Sequence, residues 1–102
     1  MNLNDYQNQA MNSVAITEKN LAALLHRSLG LNGEAGEIAN VIKKIVRDKD
    51  GKPDVSDLEK ITEKLGDTLY YLAVLAEYFS KSLDEIALKN LEKSQKFLDS
   101  RK

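Results

Sequence analysis

A chain of 102 residues, 42% of them hydrophobic and none of them cysteine, has material for one modest core but none for disulfides or thiolate metal sites. Fifteen Lys and Arg side chains against 16 acids leave a net charge of −1, so nothing in the total argues for a nucleic-acid polymer, whose binding needs a basic face. The longest apolar run, Leu69 to Ala76, is far short of the ~20 residues that span a bilayer, and the opening MNLNDYQNQA lacks the apolar segment of a signal peptide; one soluble, cytoplasmic domain over residues 1–102, without a membrane partner, is expected.

Apolar residues recur at helical spacing, with no strand-like alternation, which predicts an all-α chain. A first short helix starts at Asn4, where Asn4 and Gln7 resemble a capping box, and carries Tyr6, Ala10 and Val14. A longer second helix begins near Thr17 and shows Leu21, Leu24, Leu25, Leu31, Ile38, Ile42 and Ile45 before it ends around Asp48. The segment DKDGKPD, Asp48 to Asp54, holds the only proline and is the clearest loop. Ser56 and Glu59 form a second box, opening a third helix with the stripe Leu58, Ile61, Leu65, Leu69, Leu72 and Phe79. Ser82 and Glu85 form a third, opening a fourth helix with Leu83, Ile86, Ala87, Leu91 and Leu98 and a fraying tail, LDSRK. Four helices with short connections suggest a four-helix bundle.

The third helix is apolar on all sides between Leu69 and Ala76. Such a helix must be buried all round, and three other helices of so short a chain could hardly cover it. Part of that surface is therefore expected to meet a second copy, most simply about a two-fold axis.

The stretch GLNGEAGEIAN, residues 30 to 40, carries three glycines and two glutamates among helix-forming neighbours. Each glycine in a helix interior costs roughly 1 kcal/mol relative to alanine. Glu34 and Glu37, three apart, project about 60° from each other on one helix face, and Gly33 and Gly36 remove side chains beside them, so another helix or a ligand could come close. A second acidic pair lies in EKLGDTLYYLA. There Asp67 precedes the most hydrophobic run, Glu63 lies four residues earlier, about 40° away, and Gly66 again clears the space beside the acid.

A Glu-x-x-Glu pair alone is most often a solvated surface. Two carboxylate pairs, each beside a glycine, point further. Their all-oxygen donors select a hard cation, and Mg²⁺ in such sites, with Mn²⁺ as an alternative, usually bridges to substrate phosphates. A di-iron bundle site needs two Glu-x-x-His pairs, whereas the single histidine, His26, has no glutamate three residues before it and reads as structural or surface. Lys43, Lys44 and Arg47, two to three turns beyond Glu37, are candidates to hold a phosphate tail. Asn90 and Lys93 share a face of the fourth helix, and Tyr70 or Tyr71, most often core or interface residues, could instead stack on a base.

In combination and order, LNDYQ, GLNGEAGEIANVIKKIVRD, EKLGDTLYYLA and SLDEIALKNLEKSQKF resemble the MazG-like nucleotide pyrophosphohydrolases of the all-α NTP pyrophosphatase superfamily, over nearly the whole chain. The resemblance implies a helical bundle assembled as a homodimer or homotetramer. It also implies Mg²⁺-dependent hydrolysis of ribo- or deoxynucleoside triphosphates to the monophosphate and pyrophosphate. The family's Glu-x-x-Glu motif falls on Glu34 and Glu37, its Glu-x-x-Asp motif ends on Asp67, and its nucleotide-contacting asparagine and lysine fall on Asn90 and Lys93. On this reading Glu34, Glu37, Asp67 and Glu63 are the metal ligands, and Glu37 accepts the proton of the attacking water.

One position departs from the pattern. Three residues before Asp67, where the family has glutamate, this chain has Lys64, and Glu63 is one residue too early. Either Glu63 serves as the ligand after a small rotation, or the site is weakened and Lys64 neutralises the remaining acids. In the second case the chain would be a catalytically impaired, oligomeric helical module that binds a nucleotide or a protein partner.

Overall fold

The computed structural model describes residues 1–101, and its regular structure is entirely helical: α1 (Leu3–Ala10), a 3₁₀ turn (Met11–Ser13), α2 (Leu21–Lys49), α3 (Val55–Tyr78) and α4 (Leu83–Ser100). No helix among the described residues is long and apolar enough to cross a membrane. The all-α expectation holds, and the boundaries differ where short polar residues compete to cap. Asn2 with Asp5, not Asn4 with Gln7, closes the capping box of α1. Asp54 with Asp57, not Ser56 with Glu59, closes that of α3. Aspartate takes the place of the usual glutamate and accepts the reciprocal bond at 3.5 Å in α1 and 3.0 Å in α3, which moves each start by about two residues. The box of Ser82 and Glu85 at α4 forms as expected. Asn20 caps α2, three residues later than Thr17, and the tail is helical to Ser100, with Lys102 outside the described residues.

After α2, Asp50 and Gly51 both adopt positive φ, and the Gly51 N–H returns to the Ile45 carbonyl, a left-handed helix ending that glycine accommodates without strain. The chain thereby reverses, and α3 runs antiparallel to α2. Three cross-links fix their register. Lys49 pairs with Asp57 at the loop end, Glu37 with Lys64 in the middle, and Arg27 with Glu77 at the far end.

The core lies at this far end, where Ala73, Val74 and Ala76 of α3 meet Ala10 of α1 and Leu83 of α4, flanked by Tyr6, Met11, Val14, Tyr70 and Tyr71. Two buried polar side chains hold it. Gln7 donates to the carbonyls of Ala73 and Lys81 and accepts from the Leu83 N–H. Arg27, 1% exposed, donates to the carbonyls of Val74 and Ile16 and to Glu77.

The four expected helices are present, and one chain leaves their bundle-like arrangement open. Helix α4 packs chiefly on α1, and the radius of gyration is 16.5 Å, against about 13 Å for a compact domain of this size. Apolar side chains consequently stay in the open: Leu21, Leu25 and Leu29 on α2, Leu65, Leu69 and Leu72 on α3, Leu91, Phe97 and Leu98 on α4. Of the run from Leu69 to Ala76, one side is buried and the Leu69 and Leu72 side is exposed.

Candidate active site

Midway along the α2–α3 pair, three carboxylates face one point. Glu34 and Glu37 stand one turn apart on α2, and Asp67 comes from the facing turn of α3. At the point they share lies an ammonium, that of Lys64, one turn before Asp67. Its Nζ is 2.6 Å from Glu37 Oε2, 3.8 Å from Glu34 Oε2 and 3.9 Å from Asp67 Oδ2. Three formal negative charges thus surround one positive charge.

The environment divides the two α2 acids. Burial, and then the nearby Glu37 charge, push the Glu34 carboxyl above its ordinary range, because a desolvated carboxylate prefers its neutral form. The hydrogen bond from Lys64 pulls Glu37 below that range, and the same bond raises Lys64. Glu34 Oε2 is buried and accepts no hydrogen bond. A buried oxygen in that condition is costly, and a cation arriving there would relieve it.

The glycines act unequally. At Gly30 a Cβ would overlap the ring of Tyr71, so this glycine lets α3 lie close against α2. Around Gly33, Gly36 and Gly66 there is open space. The close approach expected at Gly33 and Gly36 is not made within this chain, and the face beside the carboxylates stays accessible.

The remaining candidates scatter. Glu63 is exposed and makes no hydrogen bond or ion pair within the described residues. Residues 63 and 64 differ by about 100° around a helix, and the register of α3 turns Lys64 toward the acids. Tyr70 accepts a hydrogen bond from Ser13 at 3.4 Å and meets Tyr71 edge to face at 5.2 Å. Tyr71 also packs against His26, which is exposed. Arg47 is engaged twice by its neighbour Asp48, while Lys43 and Lys44 are exposed on the last turns of α2. Asn90 and Lys93 line a surface groove whose other walls, Ser94, Phe97 and Leu98, also belong to α4. A groove built by one helix is open, and it closes only against something outside it.

Residues 23–97 match the model of the MazG nucleotide pyrophosphohydrolase domain. The chain belongs to this family. The chain is also 41% identical over 75 residues to the "Gene 37 protein" of Mycobacterium phage L5, a match covering 74% of this chain and 66% of that relative. No solved structure matches it. Family members typically use divalent metals, so the acidic site of this MazG domain has to be tested for its fit to one. Its donors are hard carboxylate oxygens converging from two helices, and one of them, Glu34 Oε2, accepts no hydrogen bond, as a site for Mg²⁺ would have it. The cradle already draws a cation. As they stand, no three acidic or imidazole side chains among the described residues are grouped to hold a metal ion, because the carboxylates are arranged around the ammonium instead. The donor set fits in kind, with Lys64 at its centre.

Sequence reasoning missed one neighbour of the carboxylate cluster. Tyr6 of α1 lies in the field of Asp67 and Tyr70, and its phenol is raised by burial first and then by those two groups. Sixty-one positions separate Tyr6 from Asp67, and no local spacing signals the encounter.

Proposed function

We propose that this MazG domain hydrolyses ribo- or deoxynucleoside triphosphates to the monophosphate and pyrophosphate, at the carboxylates between α2 and α3. The observation that carries the reading is the convergence of Glu34, Glu37 and Asp67 on one cation, with an unsatisfied oxygen turned toward it. Glu34, Glu37 and Asp67 would hold Mg²⁺ or Mn²⁺, with exposed Glu63 within a helical turn as a further donor. When bound, the metal supplies charge neutralisation for the triphosphate and polarises the phosphorus under attack.

The chain's own groups do the rest. Glu37 accepts the proton of the attacking water, a task that needs a carboxylate ionised at neutral pH. Glu34, with its raised carboxyl, competes for that role. Lys93 and one of Lys43, Lys44 and Arg47 stabilise the charge that develops on the leaving pyrophosphate. Asn90 and Tyr70 or Tyr71 contact the nucleoside. Asn90 and Lys93 line a groove open on one side of α4, and a second copy in a homodimer or homotetramer, docked on the exposed leucines, would close it. Apolar area of this extent is unusual in a monomer.

The test is pyrophosphate release from a panel of nucleoside triphosphates, with Mg²⁺ and with a chelator. Release that the chelator abolishes, with a monophosphate as co-product, is the expected result. Equal release in both conditions would refute the metal assignment. A second reading, an impaired module that binds nucleotide without hydrolysing it, is favoured by the position of Lys64; nucleotide binding without release of product would select it.

A further inference from the structure

Lys64 is not placed as an ordinary surface lysine. A surface ion pair joins one cation to one acid in the open, contributes little, and is easily lost. The Lys64 ammonium instead has three carboxylates within 3.9 Å, and its side chain is only 28% exposed. A divalent ion of Mg²⁺ type sits ~2.1 Å from its oxygens. An ion bound by those same oxygens would lie inside the volume the ammonium fills. Two cations cannot share that volume, and their repulsion in a half-shielded site is strong. The four-carbon stem gives the lysine a way out, since it can turn to solvent without disturbing the helix.

We propose that Lys64 is a built-in, displaceable competitor for the divalent cation: the ammonium keeps the carboxylates together in the metal-free protein and must leave before a metal enters. This rests on the acidic cluster being the cation site of the proposed function. In the metal-free state Lys64 offsets part of the repulsion among Glu34, Glu37 and Asp67, which would otherwise press the two helices apart at their midpoint. Metal affinity is thereby set low in the free protein. A nucleotide that delivers the metal together with its own phosphate ligands overcomes the competition, so the cation stays only when substrate accompanies it.

The experiment is calorimetric titration of the full chain with Mn²⁺ alone, for wild type, Lys64→Gln, Lys64→Met and Asp67→Asn, with helix content checked by circular dichroism. Gln removes the charge and keeps polarity; Met keeps the apolar stem, so loss of fold in one variant leaves the other informative. Both are expected to bind Mn²⁺ about five- to tenfold tighter than wild type, the range that corresponds to removing one partly shielded charge interaction, and to gain more thermal stability from the metal. Equal affinity in wild type and both Lys64 variants, with binding lost in Asp67→Asn, would overturn the competition and leave the cation site standing. Weaker binding in the Lys64 variants would overturn it too, making Lys64 a support of the site. No binding by any variant would overturn both the competition and the site.

Discussion

Helices α2 and α3 enclose a cation at two places, and the two differ in almost every physical respect. At the far end Arg27 is sealed from solvent and meets two backbone carbonyls and Glu77. At the midpoint Lys64 is half-shielded and meets three carboxylates. The first cation is matched by its acceptors, with its Nε alone lacking a hydrogen bond. The second is outnumbered by acids that would accept a better cation. A charge buried among backbone acceptors secures a fold, whereas an excess of anions left partly open and partly unsatisfied is suited to binding and chemistry.

Substitutions at the two places should therefore separate stability from activity. The largest expected effect is from Arg27→Met, which strands the carbonyls of Val74 and Ile16 and leaves Glu77 with Lys19 alone; it should destabilise the chain by about 3 kcal/mol in urea unfolding. Glu37→Gln and Asp67→Asn should do the opposite. Each should lower nucleotide hydrolysis by about a hundredfold, with an unfolding midpoint near that of wild type. If Arg27→Met instead kept its stability, or Asp67→Asn unfolded, the contrast between the two places would be lost.

The glycines sharpen the same comparison at smaller scale. Gly30→Ala should cost about 1–3 kcal/mol, because the new methyl group meets the Tyr71 ring. Gly36→Ala, with open space around it, should raise the stability of the isolated chain by roughly 0.5–1 kcal/mol through helix propensity. A loss of activity or of self-association in Gly36→Ala would show that the open face is used.

The smallest effect lies at the loop end of the hairpin, where Lys49 and the Asp57 backbone N–H hold the Asp54 carboxyl at about 2. A depressed carboxylate contributes stability above its unfolded value and loses it as pH falls through the folded one. Between about pH 4 and pH 2 wild type should therefore lose a small increment of stability that Asp54→Asn lacks, visible as a shallower acid limb in the variant's unfolding midpoint.

What the sequence made legible follows from which signals are local. The apolar periodicity and the box of Ser82 and Glu85 are written within a few residues, and the structure repeats them. Asn2 and Asp54 were passed over because neighbours of the same chemistry stood two residues away. The buried roles of Arg27 and Gln7 were invisible, since the α3 partners of Arg27 lie 47 and 50 positions distant and those of Gln7 lie 66 or more. The site falls between these cases. Glu34, Glu37 and Asp67 were singled out from spacing and glycines, and the structure gathers them around Lys64, which stood out in the sequence as a departure. Its inward direction did not stand out, because Glu63 and Lys64 flank the Asp67 azimuth on either side, and only the packing of α3 on α2 selects between them. The open fourth helix was illegible for the same reason, since periodicity marks an apolar face without saying what will cover it.

The most direct test of the central claim compares wild type and Asp67→Asn side by side for the products formed from a deoxynucleoside triphosphate with Mg²⁺. Monophosphate and pyrophosphate from wild type, and almost none from a folded Asp67→Asn, is the predicted result. Wild-type rates in Asp67→Asn, or diphosphate and phosphate as products, would contradict it.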